Sequence, residues 1–140
     1  MKERSLILVK PDGVRRGLVG EIISRFEKKG LSVIALKMLN FDDKLADRHY
    51  DIHVKKDFYP PLKKFITSGR CVAMVIEGND AIALCRALMG ATSPLNALPG
   101  TIRGDFACST TENLVHGSDA PERAQYEIGL FFKENEIFNS

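Results

Sequence analysis

Three apolar runs, Leu6–Lys10, 31–40 (LSVIALKMLN) and 71–78 (CVAMVIEG), alternate along this chain with segments of helical period. Each run is rich in β-branched or aliphatic residues and ends at turn or capping residues, which marks it as a strand. Strands that alternate with helices restrict the fold to layered sheet-and-helix domains. Pro11-Asp12-Gly13 stops the first strand with turn chemistry. Leu18, Ile22, Ile23 and Phe26 recur at helical spacing, and Gly30 suits the C′ position of that helix. Asp42 and Asp43 are candidate caps for a short helix to about Tyr50. Pro60 fits the first turn of another helix, which carries Leu62, Phe65 and Ile66 and closes at Gly69.

Beyond the third strand, Asn79 or Asp80 caps a helix to about Met89. Residues 87–102 then carry no charge, yet Gly90, Pro94, Pro99 and Gly100 forbid a continuous helix or central strand. A long ordered loop of this kind is uncommon and often functional. Asn113–His116 reads as a short fourth strand. Asp119-Ala-Pro-Glu122 resembles a capping box that opens a helix to about Phe131. Four strands in this order fit a ferredoxin-like, two-layer α/β (α+β) sandwich with helices on one face of the sheet, in a single domain over residues 1–140.

Composition excludes several classes. The 140 residues are 44% apolar and 27% charged, enough to bury a core without staples, and the net charge of +2 is too mild to select nucleic acid or an anionic membrane. The basic residues are dispersed among 18 acidic ones, against nucleic-acid binding as the main role. Cys71, Cys85 and Cys108 make an odd set without a CxxC, so they read as small core hydrophobes in a reducing, cytoplasmic setting. The apolar stretch near the N-terminus is too short for a signal peptide or a membrane span.

His49 and His53 lie four apart, but the segment HYDIHVKKD lacks the glutamate of H-E-x-x-H and a third ligand, and reads as surface. His116, in NLVHGSD (113–119), sits at a strand–helix junction. Gly117 removes bulk beside it, Ser118 and Asp119 offer capping oxygens, and Glu127 on the next helix can hold one ring nitrogen. A carboxylate so placed fixes the tautomer and leaves the other nitrogen as a nucleophile. From the local pattern, a structural turn histidine fits equally well. Lys10, Arg86 and Arg103 read singly as solvated charges; together they form a clamp for a polyphosphate. There is no G-x-x-x-x-G-K-[ST] cradle, and Val115 before His116 departs from the Arg-His-Gly setting of histidine phosphatases.

LVKPDGVRRGLVGEII (8–23), PGTIRGDF (99–106) and NLVHGSD, in this order and spacing, resemble the nucleoside diphosphate kinase family. The resemblance runs from about residue 3 to residue 132. It implies a four-stranded antiparallel sheet with helices packed on it, and ping-pong transfer of the γ-phosphate from a nucleoside triphosphate to a nucleoside diphosphate, with broad base specificity. It implies Mg²⁺ carried on the nucleotide phosphates, with no metal ligands from protein side chains, and a homo-oligomer, tetramer or hexamer. By matching position, His116 corresponds to the phosphate-accepting nucleophile, phosphorylated at its pros nitrogen, and Glu127 to the carboxylate that orients it, with Ser118 nearby. Lys10 and Asn113 match contacts to ribose and phosphates, and Tyr50 a tyrosine near the nucleophile. Arg86, Thr92 and Arg103 match the phosphate-binding set, Phe58 the aromatic on which the base stacks, and Leu62 a residue of the same cleft. The family commonly has Val-Gly-Arg before Asn113, where this chain has Thr110, Thr111 and Glu112. Glu112 is therefore expected to bring negative charge to the nucleotide's edge.

Overall fold

The computed structural model describes residues 2–139 of the chain. Its sheet has four antiparallel strands, β1 (Lys2–Val9), β2 (Ser32–Asn40), β3 (Arg70–Asn79) and β4 (Val115–Gly117), in the order β2-β3-β1-β4. This is the ferredoxin-like order. Among the described residues, seven α-helices connect or flank the strands: α1 (Pro11–Arg15), α2 (Val19–Lys28), α3 (Asp43–His49), α4 (Tyr59–Ile66), α5 (Ala81–Met89), α6 (Ile102–Phe106) and α7 (Pro121–Phe131).

The helices cover both faces of the sheet, not one. Strand β1 shows why. Residues 5–9 are all buried, and because alternate side chains point to opposite faces, burial of every residue requires cover on both sides. Leu6 and Leu8 pack with Ala46, Tyr59, Ile66 and Phe131 from α3, α4 and α7. Ile7 and Val9 pack with Ile22, Phe26, Cys85 and Met89 from α2 and α5. Cys71 and Cys85 are buried as small hydrophobes; Cys108, by contrast, is exposed.

Several local expectations change. Pro11-Asp12-Gly13 opens the one-turn helix α1 in place of a simple turn, because proline's fixed φ suits a first helical position. Asp42 caps α3 as expected, its Oδ1 accepting from the Leu45 N–H at 2.7 Å. Asp80 does not cap α5: it adopts φ +55°, and Glu3 Oε1 of β1 instead accepts the Ile82 N–H at 3.3 Å. The capping box before α7 does not form. The N-cap is Ala120, without a side-chain bond, and Pro121 alone sets the first turn.

Gly117 adds a packing role to the one expected. It is buried, and a Cβ there would sit 2.4 Å from the Met89 methyl and 3.1 Å from Ile7. Its missing side chain lets α5 pack against β4, and its backbone lies in the lining of the cavity that holds His116. Gly117→Ala is therefore expected to cost about 1–3 kcal/mol by overpacking, read as a lower denaturant midpoint.

Candidate active site

Strand β4 lies along β1, with Leu8 opposite His116 and Val9 opposite Val115. The start of β4 is set by an unusual backbone. Leu114 is fully buried at φ +77°, and the Val115 N–H bonds back to the Asn113 carbonyl at 2.9 Å, a γ-turn centred on Leu114. A strand from Asn113, as the sequence suggested, is thereby broken. The strained residue is held from outside: its N–H donates to Asp12 Oδ2 at 3.1 Å and its carbonyl accepts from the Lys10 N–H at 2.8 Å. Asp12, which sequence reasoning left as a turn residue, thus fixes the approach to His116. Burial raises its carboxyl's pKa, partly opposed by Lys10 and backbone N–H groups.

At His116 the ring's Nε2 lies 3.0 Å from Glu127 Oε2, and the side chain is 24% exposed against 2% for Glu127. Ser118 Oγ donates to Glu127 Oε1 at 2.7 Å and accepts the Leu6 N–H at 3.1 Å. Burial raises the Glu127 pKa, but the hydrogen bond and charge of His116, the Ser118 hydroxyl and Arg123 outweigh it and hold the carboxyl below its ordinary range. An ionised carboxylate is an acceptor only, so Nε2 carries the ring proton and Nδ1 is left as the basic nitrogen.

Lys10, Tyr50, Arg86, Thr92, Arg103, Asn113, His116 and Glu127 all line one cavity of about 280 Å³. Ser118 stands behind it, through Glu127. Lys10 Nζ donates to Asn113 Oδ1 at 2.8 Å, and Asn113 Nδ2 donates to the Thr92 carbonyl at 3.0 Å. Burial first, then the Arg103 charge, lower the Lys10 pKa to about 8. Arg103 is buried and uses Nε and both terminal nitrogens on the carbonyls of Asn113, Gly90 and Val115, at 3.3, 2.9 and 2.7 Å. Two of a guanidinium's five N–H groups remain for an anion. Arg86 is exposed, and its guanidinium makes no hydrogen bond or ion pair within the described residues. Tyr50 is buried, its hydroxyl has no hydrogen-bond partner among the described residues, and burial pushes its pKa up, so it stays a donor.

Phe58 and Leu62 are not in this lining. Phe58 is half exposed, with its ring 5.3 Å from that of His53, a cavity residue. Leu62 packs, partly buried, on the core side with Tyr59 and Ile66. Glu112 also stands away from the cavity: it is exposed and faces Arg15 at 3.7 Å.

His49 and Arg123 are among the cavity residues that escaped the sequence reading, beside Ile52 and His53. His49, expected on the surface, is 2% exposed, its ring 4.6 Å from that of His116, with neither ring nitrogen hydrogen-bonded among the described residues. Burial, then the charges of His116 and Arg123, push its pKa well below the usual value, so it stays neutral. The signal was Ala46, His49 and Tyr50 at helical spacing behind Phe41. Arg123 ties α7 to α3, and its signal was the four-residue step to Glu127. His49, His116 and Glu127 bring three ligand-type atoms within 4.8 Å of one another, but His116 and Glu127 already bond each other.

Lys10 carries a pH prediction. Its positive charge is present below about pH 8 and lost above it. kcat/KM for an anionic substrate reports the free enzyme. It is expected to fall as pH rises through about 8, roughly tenfold per further unit. Lys10→Met should lower kcat/KM and remove that limb; a wild-type profile flat to pH 10 would refute it.

Comparisons with known proteins agree with the fold. A family model described as nucleoside diphosphate kinase matches residues 3–137. A nucleoside diphosphate kinase of Thermus thermophilus is 56% identical over 135 residues, 96% of this chain and 98% of that protein. One from Methanocaldococcus jannaschii is 51% identical over 139 residues, 99% of each. Among solved structures, a halophilic nucleoside diphosphate kinase from Halobacterium salinarum in complex with CDP superposes with a TM-score of 0.96 at 46% identity, over 100% of this chain and 93% of that one. A nucleoside diphosphate kinase family protein from Babesia bovis gives 0.95 at 43% identity, over 99% and 93%.

Proposed function

The chain belongs to the nucleoside diphosphate kinase family, and on that premise we propose that the phosphate it transfers travels through Nδ1 of His116. The enzyme moves the γ-phosphate of a nucleoside triphosphate to a nucleoside diphosphate. In the first half-reaction the Nδ1 lone pair forms a bond to the γ-phosphorus. The bond from that phosphorus to the bridging oxygen breaks, and the diphosphate leaves with the electron pair. A second nucleoside diphosphate then attacks the phosphohistidine through its terminal oxygen and restores the ring. One small site thus serves donor and acceptor in turn. The observation that carries this reading is the chain His116–Glu127–Ser118, which commits one ring nitrogen and leaves the other uncommitted in a cationic cavity.

The remaining roles follow from chemistry. Arg86 and the two unused N–H groups of Arg103 bind the transferring phosphoryl oxygens, with Thr92 beside them. Lys10 and Asn113, already bonded to each other, meet the ribose hydroxyl and phosphates. Tyr50 donates toward the nucleophile's surroundings. Phe58 offers its exposed face to the base, and stacking of that kind accepts purines and pyrimidines alike. Leu62 supports that rim from the core side.

The divalent metal is Mg²⁺ in this proposal. The cavity gathers Lys10, Arg86, Arg103 and Arg123, its buried Glu127 carboxylate is committed to Ser118, His116 and Arg123, and the exposed Asp119 is left as a single carboxylate, too few for the oxygen cage that Mg²⁺ takes. The ion fits as a companion of the nucleotide phosphates, whose charge it would offset. The protein is a homo-oligomer, tetramer or hexamer. In support, β2 is a sheet edge whose Leu36 and Met38 are each 53% exposed. Among the described residues no helix is long and apolar enough to cross a membrane, and a cytoplasmic site of action suits free nucleotides.

Incubation with ATP labelled on the γ-phosphate, followed by desalting, should leave acid-labile label on the protein. Added GDP should then release labelled GTP. A folded protein that takes up no label would refute the covalent route.

A further inference from the structure

We propose that Arg123 is a positioning residue for phosphoryl transfer, holding the Glu127 carboxylate in line with the Nε2 edge of His116. The proposal rests on His116 being the nucleophile. Arg123 stands one helical turn before Glu127, and its Nε donates to Glu127 Oε2 at 3.2 Å. That is the same oxygen that faces His116 Nε2 at 3.0 Å. Ser118 holds the other oxygen. With Ser118 and His116 alone, the carboxylate can rock about its last torsion, because a terminal sp² group has only a broad preference there. A third donor, fixed independently of the ring, stops that motion.

The independence comes from the other end of the guanidinium. One terminal nitrogen donates to the His49 carbonyl at 2.7 Å and lies 2.9 Å from Asp51 Oδ1. The guanidinium carbon lies 4.7 Å over the Tyr126 ring, and the Tyr126 hydroxyl donates to the Arg48 carbonyl at 2.8 Å. Arg123 is therefore locked to the end of α3 and to the segment that leads to Phe58. One planar fork connects the carboxylate behind the nucleophile to the segment that would meet the base.

These bonds also separate Arg123 from the phosphate clamp. Its Nε and one terminal nitrogen are committed to protein oxygens, whereas the Arg86 guanidinium in the same cavity has no hydrogen-bond or ion-pair partner among the described residues. Arg123 acts on Glu127 and through it on the ring. As the bond from Nδ1 to phosphorus forms and the bond to the leaving diphosphate breaks, the proton stays on Nε2, and the developing positive charge on the ring is met by an oxygen held at a fixed angle.

The test is single-turnover phosphorylation of the enzyme by labelled ATP, with nitrogen-15 NMR of the His116 ring. Arg123→Met keeps the packing of the aliphatic stem and so the fold, checked by circular dichroism. Its phosphorylation rate at saturating ATP is expected to fall tenfold to a hundredfold, roughly the value of one charge-assisted hydrogen bond. The half-saturating ATP concentration should stay within twofold, and the ring should shift from a single Nε2–H tautomer to a mixture. Arg123→Lys, which restores charge without the fork, should stay below a third of the wild-type rate. An unchanged rate, a loss confined to half-saturation, an unaltered tautomer or full recovery with lysine would each overturn the proposal. Wild-type protein that takes up no label would instead refute His116 as nucleophile.

Discussion

His116→Ala is expected to lose at least about 10⁴-fold in turnover and to take up no label from γ-labelled ATP, while still binding nucleotide. The loss is large because the route is covalent: without Nδ1 no protein atom receives the phosphorus. His49 is not expected to substitute, although its ring lies 4.6 Å away, because Phe41, Tyr50 and Phe131 still hold that ring once His116 is gone. Folding should survive. The ring's removal takes one donor from Glu127 Oε2, but Arg123 Nε stays on that oxygen and Ser118 on the other, so no buried charge is stranded. Nucleotide binding should survive as well, since Lys10, Arg86, Arg103 and Asn113 are untouched. Equilibrium binding of a nucleoside diphosphate within about threefold of wild type, beside the absent label, is the expected pair of results. Label retained on the variant would move the nucleophile elsewhere.

What the sequence disclosed and what it hid have physical reasons. The strands β1, β2 and β3 were legible because each is a long apolar run flanked by turn residues. Cover on both faces of the sheet was also written in Leu6–Val9, where unbroken burial leaves no solvent face, yet the expected architecture put the helices on one. Strand β4 was misplaced because its start is decided by the left-handed backbone of Leu114, which is sustained by Asp12 and Lys10 about a hundred residues away. Helix α6, five residues after a Gly/Pro-rich loop, is too short to show a period; Thr101 starts it by accepting the Gly104 N–H.

The site divides in the same way. His116 and Glu127 are eleven residues apart across one strand–helix junction, so local reasoning could pair them. Lys10 and Asn113 meet only because β4 lies along β1, which no local window contains. Arg103 was legible as a cation, but not the three carbonyls that occupy it. His49 hid in a polar stretch because burial of a histidine depends on what covers its helix, here Phe41, Phe131 and His116.

Substitutions at Glu127 should separate the charge of the carboxylate from its geometry. A glutamine amide offers one oxygen and one NH₂ group. If the NH₂ faced His116, two donors would meet, and the ring would move its proton to Nδ1, the nitrogen needed for attack. The other orientation avoids this. The amide oxygen then accepts from His116 Nε2 and Arg123 Nε, as Oε2 now does, and the NH₂ faces Ser118. The Ser118 hydroxyl can reverse, accepting from the amide and donating to the Leu6 carbonyl, already 3.5 Å away. Glu127→Gln therefore keeps the tautomer and loses only the negative charge that meets the ring as it becomes cationic. Its phosphorylation rate is expected to fall on the order of 10²-fold. Glu127→Leu removes the acceptor as well, leaves Arg123 and Ser118 facing an apolar group, and frees the tautomer. Its rate should fall to about 10⁴-fold below wild type, with a lowered denaturant midpoint. Rapid-quench measurement of phosphoenzyme formation in both variants checks the order. Equal losses would mean that charge alone matters, and a milder loss for leucine than for glutamine would overturn the role given to the carboxylate.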